Sequence, residues 1–262
     1  MGVINLTPDS FSDGGRFNTV ERAVAQAGRQ FAEGADVLDL GAQSTRPGAD
    51  EVGPEEEQRR LLPVLTAIRQ AYPDALISVD TFLAAVAEAA LEAGAHWIND
   101  VSGGRRDAAM LPLIADAGCP YVLMHSRGTS KTMDALTDYS DVVKDVRHAL
   151  QLDGDRAVAS GVNPQQLIWD PGLGFAKTTA QNLDLLAQLE TITSEGTPVL
   201  LGPSRKRFIG DVLQEPRARA RLWGTAAVCC RAVAAGVAIV RVHDVGPIRQ
   251  VVDMAAQLWP SR

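Results

Sequence analysis

Eight short apolar runs recur along the chain, and nearly all end in a polar residue. They are Val3-Ile4-Asn5, Val37-Leu38-Asp39, Ile77-Ser78-Val79-Asp80, Trp97-Ile98-Asn99-Asp100, Tyr121-Val122-Leu123-Met124-His125, Leu167-Ile168-Trp169-Asp170, Val199-Leu200-Leu201-Gly202 and Ile239-Val240-Arg241-Val242-His243-Asp244. Continuous apolar character, in place of alternation, indicates strands buried on both faces, as in a parallel sheet. The stretches between them carry helical periodicity. Val20, Val24, Ala27 and Phe31 recur at helical spacing from an expected cap at Asn18-Thr19 to Gly34. The next helix opens with Pro54 and Glu55-Glu56-Glu57, stops at Tyr72-Pro73, and is expected to kink at Pro63. Further helices are expected over 83–93, 108–117, 139–160, 181–189, 223–235 and 246–258.

Eight such units imply an α/β chain folded as a single (β/α)8 TIM barrel, one domain over residues 1–262, with a doubly wound open sheet as the competing architecture. Closure would bring the C-terminal strand ends to one mouth. Asn5, Asp80, Asn99, His125, Asp170 and His243 would then face a common pocket. The connections 6–18 and 41–54 are rich in Gly, Pro, Ser and Asp, which suits mobile lid loops over that pocket.

Charge limits the partners. Lys and Arg total 25 against 32 Asp and Glu, a net −7, which argues against nucleic acid or an anionic membrane engaged by bulk charge. An anionic substrate must instead meet a local basic cluster, and Arg46, Lys206 and the Arg241/His243 pair are the candidates to clamp a phosphate or pyrophosphate. Arg205 and Arg207, flanking Lys206, read better as a solvated or salt-bridged helix start, and His96 and His148 as structural. Three cysteines, two of them adjacent, offer neither a disulfide framework nor a zinc spacing. A reducing, cytoplasmic location is expected, with no targeting or membrane segment visible.

The stretch from Ile168 to Phe175 drives an apolar run into Asp170 and then into Pro171-Gly172-Leu173-Gly174. Such a turn lets backbone approach a ligand closely. Nucleotide motifs do not explain it. A Walker A loop needs glycine where Pro171 and Ala176 stand, and a dinucleotide fingerprint needs one at Lys177.

Seven motifs in order resemble the dihydropteroate synthase family of pterin-binding enzymes, over residues 1–244. They are Asn5-Leu6-Thr7-Pro8-Asp9-Ser10-Phe11-Ser12-Asp13-Gly14-Gly15, Ser44-Thr45-Arg46-Pro47-Gly48, Asp80-Thr81, Asn99-Asp100-Val101-Ser102-Gly103-Gly104, Asp170-Pro171-Gly172-Leu173-Gly174-Phe175, Ser204-Arg205-Lys206 and Arg241-Val242-His243-Asp244. The resemblance implies a homodimer that joins 6-hydroxymethyl-7,8-dihydropterin diphosphate to 4-aminobenzoate, with Mg²⁺ accompanying the pyrophosphate. It implies that Asp80, Asn99, Asp170 and Lys206 contact the pterin, and that Thr45, Arg46, Arg241 and His243 hold the diphosphate. Asn5 is implied as the magnesium contact. Phe11 and Asp13 on the first loop and Thr45, Arg46 and Pro47 on the second would close over the site, with Asp13 stabilising a cationic intermediate and Phe175 near the aminobenzoate. Of these, Asp13, Arg46, Lys206, Arg241 and His243 are the implied catalytic set.

Two departures stand out. The chain reads Gly41-Ala42-Gln43 where family members commonly have a second glycine, which narrows the backbone options at the loop's hinge. It also starts at the first strand, where relatives usually carry a preceding segment, so a truncated start is an expectation. The rival readings are a folate-dependent methyltransferase and a catalytically silent pterin-binding paralogue. The basic residues at 46, 206 and 241 favour diphosphate chemistry.

Overall fold

All eight apolar runs form strands, and every pairing between them is parallel. The strands are β1 Gly2–Asn5, β2 Val37–Gly41, β3 Leu76–Asp80, β4 Trp97–Asp100, β5 Tyr121–Met124, β6 Leu167–Asp170, β7 Leu200–Leu201 and β8 Ile239–Val240. The structure is a computed structural model that describes residues 1–7, 16–44 and 48–260. β1 to β6 pair in sequence order, and β7 pairs with β8. Two bridges complete the ring, Trp169 with Val199 and Gly2 with Val242. They are carried by Trp169 N–H to Pro198 O at 2.8 Å, Val3 N–H to Val242 O at 2.9 Å and Val242 N–H to Met1 O at 3.0 Å. These bonds join β6 to β7 and β8 to β1, so the sheet closes as a barrel and the open-sheet alternative falls.

The interior is layered by chemistry. Val122, Ile168 and Leu200, with Met1, Trp97 and Ile239 packed on them, form an apolar plug inside the barrel. Towards the C-terminal strand ends the inward positions turn polar: Asp39, Ser78, Asp80, Asn99 and Asp170 are all buried. Outward-facing strand residues such as Leu38, Leu40, Ile77 and Val79 meet helix residues Leu61, Leu65 and Ile68 in the main core. Parity along each strand therefore assigns one face to the outer core and the other to the barrel interior.

Ten helices are described, α1 Arg16–Ala32, α2 Pro54–Ala71, α3 Ala84–Glu92, α4 Met110–Ala117, α5 Val142–Ala159, α6 Thr179–Ala187, α7 Glu190–Thr193, α8 Arg207–Leu213, α9 Leu222–Ala234 and α10 Val245–Leu258. Several boundaries differ from expectation. α1 begins at Arg16, ahead of the expected Asn18-Thr19 cap. α5 begins three residues late because Asp141 is its cap, accepting from Val143 N–H and Lys144 N–H. α6 begins early because Thr178 and Gln181 form a reciprocal capping box. α2 keeps both expected ends, opening at Pro54 and capped at Tyr72, and runs through Pro63 as one helix. α7 is too short for a periodic signal, and α8 opens at Arg207, where a salt-bridged helix start is expected. The short β7 precedes Gly202-Pro203, whose proline has no N–H to extend the ladder. Ala42 is buried and is not among the residues with positive φ, so the missing glycine costs no strain there.

Glu57, in the first turn of α2, is 1% exposed, and its carboxyl makes no well-formed hydrogen bond, with the Thr81 side chain only a weak partner. Burial pushes its pKa up to about 7, with Thr81 and Arg60 opposing the rise. A carboxyl raised in the folded state favours folding at low pH and disfavours it as pH climbs from the unfolded value towards the folded one. Glu57→Gln should therefore gain stability over the parent between about pH 4.5 and 7, by up to about 3 kcal/mol, in urea denaturation run at both ends of that window. A difference that does not change with pH would contradict the assignment.

Candidate active site

Three strand ends carry one ion-pair network. Arg241, just past β8, donates from Nε to Asp39 Oδ2 at 2.6 Å and from Nη2 to Asp80 Oδ2 at 2.7 Å. Asp39 Oδ2 also accepts from Asn99 Nδ2 at 3.1 Å. Asp39 is fully buried on β2, so its charge is held only by these donors. Burial lowers Arg241's pKa, but Asp39 and Asp80 outweigh it and hold the guanidinium above its ordinary value. Burial likewise pushes Asp80 up to about 7, with Arg241 pulling it down and Asp39 adding to the rise. Arg241 thus joins the open cavity to the buried Asp39–Asn99 pair.

Asp170 ends β6 at 6% exposure, with Oδ1 accepting from Gly172 N–H at 2.7 Å. Burial raises its pKa, opposed by that backbone bond and by Lys206. Gly172 has φ 67° and lies so close to the end of β5 that a Cβ there would sit 2.0 Å from His125 O. Only glycine fits that approach. Phe175 follows, and Lys206 Nζ stands 4.2 Å from the centroid of its ring. Burial lowers Lys206 to about 8, with Asp170 raising it.

Arg205 turns the chain between Ser204 and Lys206. It adopts φ 61°, rare for a residue with a Cβ, and is held there by a bidentate pair with Asp244 at 3.0 and 2.5 Å. Ser204 Oγ meets His243 Nδ1 at 2.9 Å, and Asn5 Nδ2 meets His243 Nε2 at 3.3 Å. Asn5 donating to Nε2 is compatible with the tautomer that carries its proton on Nδ1, facing Ser204 Oγ. Arg207 pairs with Asp134, as expected of a salt-bridged neighbour.

A cavity of about 910 Å³ opens among these groups, with Asn5, Asp80, Phe175, Lys206, Arg241 and His243 in its wall. Its wall holds seven Lys and Arg side chains against two Asp, although the whole chain carries −7. Local field therefore reverses global charge. Asn99 and Asp170 are not in that wall; both are buried, at 4% and 6% exposure. Phe11, Asp13, Thr45, Arg46 and Pro47 lie outside the described residues. The described end of the second loop is docked, with Gly48 N–H on Ser130 O and Ser130 Oγ on Ala49 O, both at 2.8 Å.

His125 was expected at the pocket, and the structure corrects this. It is 2% exposed and its Nδ1 faces Lys177 Nζ at 3.0 Å. Burial and Lys177 hold its pKa well below the usual imidazole value, so it is neutral. His96 is structural, its Nδ1 accepting from Ile77 N–H at 3.2 Å. Sequence reasoning missed Asp39, Ser204 and Lys177. An acid at an inward parity position of an apolar run was the available signal for Asp39. Ser204 stood in the Ser204-Arg205-Lys206 motif without a role, because its partner His243 lies on another unit, and Lys177 gave no signal because two of its partners are backbone carbonyls and the third, His125, follows another strand.

Removing Asp39 should leave Arg241 with one carboxylate and Asn99 unanchored. Asp39→Ala is expected to cost about 3 kcal/mol in urea denaturation, the low end for breaking a buried ion pair because Asp80 remains. A loss under about 1 kcal/mol, the range of surface ion pairs, would show that Asp80 alone satisfies Arg241.

Residues 1–243 match the family model described as pterin binding enzyme. A dihydropteroate synthase of Synechocystis sp. is 48% identical over 99% of this chain and 89% of its own length. A solved dihydropteroate synthase of Xanthomonas albilineans with 4-aminobenzoic acid has a TM-score of 0.93 and 42% identity, covering 100% of this chain and 93% of that one. Another, from Clostridium difficile in the presence of pteroic acid, has a TM-score of 0.94 and 38% identity, covering 100% and 96%. On the barrel, the site and these matches together, the chain belongs to the pterin-binding enzyme family, among the dihydropteroate synthases.

Proposed function

We propose that this chain is a transferase of folate biosynthesis. It condenses 6-hydroxymethyl-7,8-dihydropterin diphosphate with 4-aminobenzoate to give 7,8-dihydropteroate and pyrophosphate. The observation that carries the reading is one cavity walled by Asp80, Lys206, Arg241 and His243, with Asn99 joined to its Arg241 through Asp39 and Asp170 buried within the field of its Lys206. A pterin ring offers a guanidine-like N–H edge, which Asp170 can accept in parallel hydrogen bonds. Gly172 N–H fixes the Asp170 carboxylate while leaving lone pairs for the ring. Asp39 turns the Asn99 amide so that its oxygen is left as an acceptor. Lys206 would approach the ring carbonyl and N5 side, and Phe175 the aminobenzoate.

Arg241 uses Nε and Nη2 on carboxylates, which leaves Nη1 for the diphosphate beside His243. Thr45 and Arg46 would complete that grip. In the step itself the bond between the pterin methylene and the diphosphate oxygen breaks, and the electron pair leaves on that oxygen. Charge already dispersed by the cations stabilises the leaving group, and the aniline nitrogen then attacks the resonance-stabilised methylene cation and gives up its proton to water or the departing pyrophosphate. Asp13 would lie near that cation. No strong general base is required.

Magnesium fits as a substrate-borne ion. Among the described residues no group of three or more His, Cys, Asp or Glu could hold a metal, and one amide oxygen from Asn5 suits an ion held chiefly by diphosphate oxygens and water. When bound, Mg²⁺ supplies further neutralisation of the leaving group.

A homodimer is part of the same reading. Trp223 on α9, 76% exposed, and Val212 and Leu213 on α8, 54% and 50%, give apolar surface for a second copy. Sedimentation giving the mass of two chains supports this, and the mass of one removes it. A cytoplasmic site of action agrees with three free cysteines, and no helix among the described residues is long and apolar enough to cross a membrane. Active protein recovered only from a membrane or exported fraction would contradict it.

Purified protein with Mg²⁺ and both substrates should form dihydropteroate and release pyrophosphate. Tight pterin binding without product would favour the silent paralogue. Asp170→Asn should weaken pterin binding about tenfold to a hundredfold, the worth of hydrogen bonds to a charged group. Unchanged affinity would remove Asp170 from the pocket.

A further inference from the structure

Lys177 is buried, at 4% exposure, on the connection that leaves β6. Its Nζ lies 3.0 Å from each of three atoms: Gly172 O, Phe175 O and His125 Nδ1. An ammonium has three protons and no acceptor, while two of those atoms are carbonyl oxygens and the third is the bare nitrogen of a neutral imidazole. Every donor is therefore used inside the protein. None is left for a ligand.

The segment so tied is under conformational constraint. Gly172, Gly174 and Ala176 have φ of 67°, 74° and 47°, alternate left-handed residues, and the last carries a Cβ. Such a backbone persists only where its surroundings impose it. Asn182 helps by accepting from Gly174 N–H and donating to Thr178 O, both at 2.7 Å. Lys177 is the one side chain among the described residues that bonds both the start and the Phe175 end of the turn. Asp170 is held more directly, by its strand pairing and by Gly172 N–H, and Lys177 reaches it only through charge and through the Gly172 carbonyl.

We infer that Lys177 is a positioning residue for the second substrate, setting the turn that presents the Phe175 ring to 4-aminobenzoate without touching either reactant. Burial lowers its pKa to about 7, with Asp170 raising it, and the two carbonyl oxygens at 3.0 Å suit the charged, donating form. The inference rests on the condensation proposed above, and product formation by the parent protein tests that reading separately.

The test is Lys177→Met, with Lys177→Gln as the milder variant. Lys177→Met is expected to raise the KM for 4-aminobenzoate about tenfold or more, as loss of buried hydrogen bonds implies, with pterin affinity changed by less than about threefold. Lys177→Gln, which keeps an amide donor, shows the same selective rise at smaller size. A cycle with Phe175→Ala reads the route of action. If Lys177 acts through Phe175, adding Lys177→Met to Phe175→Ala changes that KM no further. Equal losses for both substrates, additive effects in the cycle, or failure of both Lys177 variants to fold would each overturn the inference.

Discussion

A single guanidinium ties the end of the barrel to its beginning. Arg241, one residue beyond the last strand, reaches carboxylates on the second and third. The same Asp39 oxygen that receives it also receives Asn99 from the fourth. Asp39 meets both donors through Oδ2 while its Oδ1 has no partner, so loss of either donor would strand a buried charge. The same interaction orients the groups proposed to meet the pterin and the diphosphate.

Separation of charge by depth follows from the same arrangement. Carboxylates and an amide lie deep, where burial lifts Asp80 and Asp170 above the usual carboxylate range. Cations stand between them and solvent, where Lys206 covers Phe175 and Arg241 covers Asp39. A ligand with a hydrogen-bonding ring at one end and a diphosphate at the other matches that gradient. The acidic outer surface of the chain would repel such a ligand, so the local reversal of sign is what admits it.

Much of this was legible in the sequence, for physical reasons that differ by residue. Strands buried on both faces write themselves as apolar runs, so all eight strands and the closure were readable, and Asp80, Asn99 and Asp170 could be placed at strand ends. Arg205 and Arg207 behaved as the salt-bridged neighbours expected of them. His125 misled because position at a strand end does not reveal direction. It turns inward to Lys177 once Gly172 brings the next loop against it. Lys177 was invisible for a related reason, since its three acceptors lie two and five residues back and on another strand end. Helix ends failed where a side-chain cap displaced the periodic signal, as at Asp141 and Thr178.

The most direct measurement is a crystal structure of this chain with 7,8-dihydropteroate bound. The account predicts the ring's N–H edge on Asp170, Asn99 and Asp80 at its rim, and the aminobenzoate against Phe175 and Lys206. A product lying outside the barrel mouth, with Asp170 bonded only to Gly172 and Arg241 unmoved between Asp39 and Asp80, would contradict it.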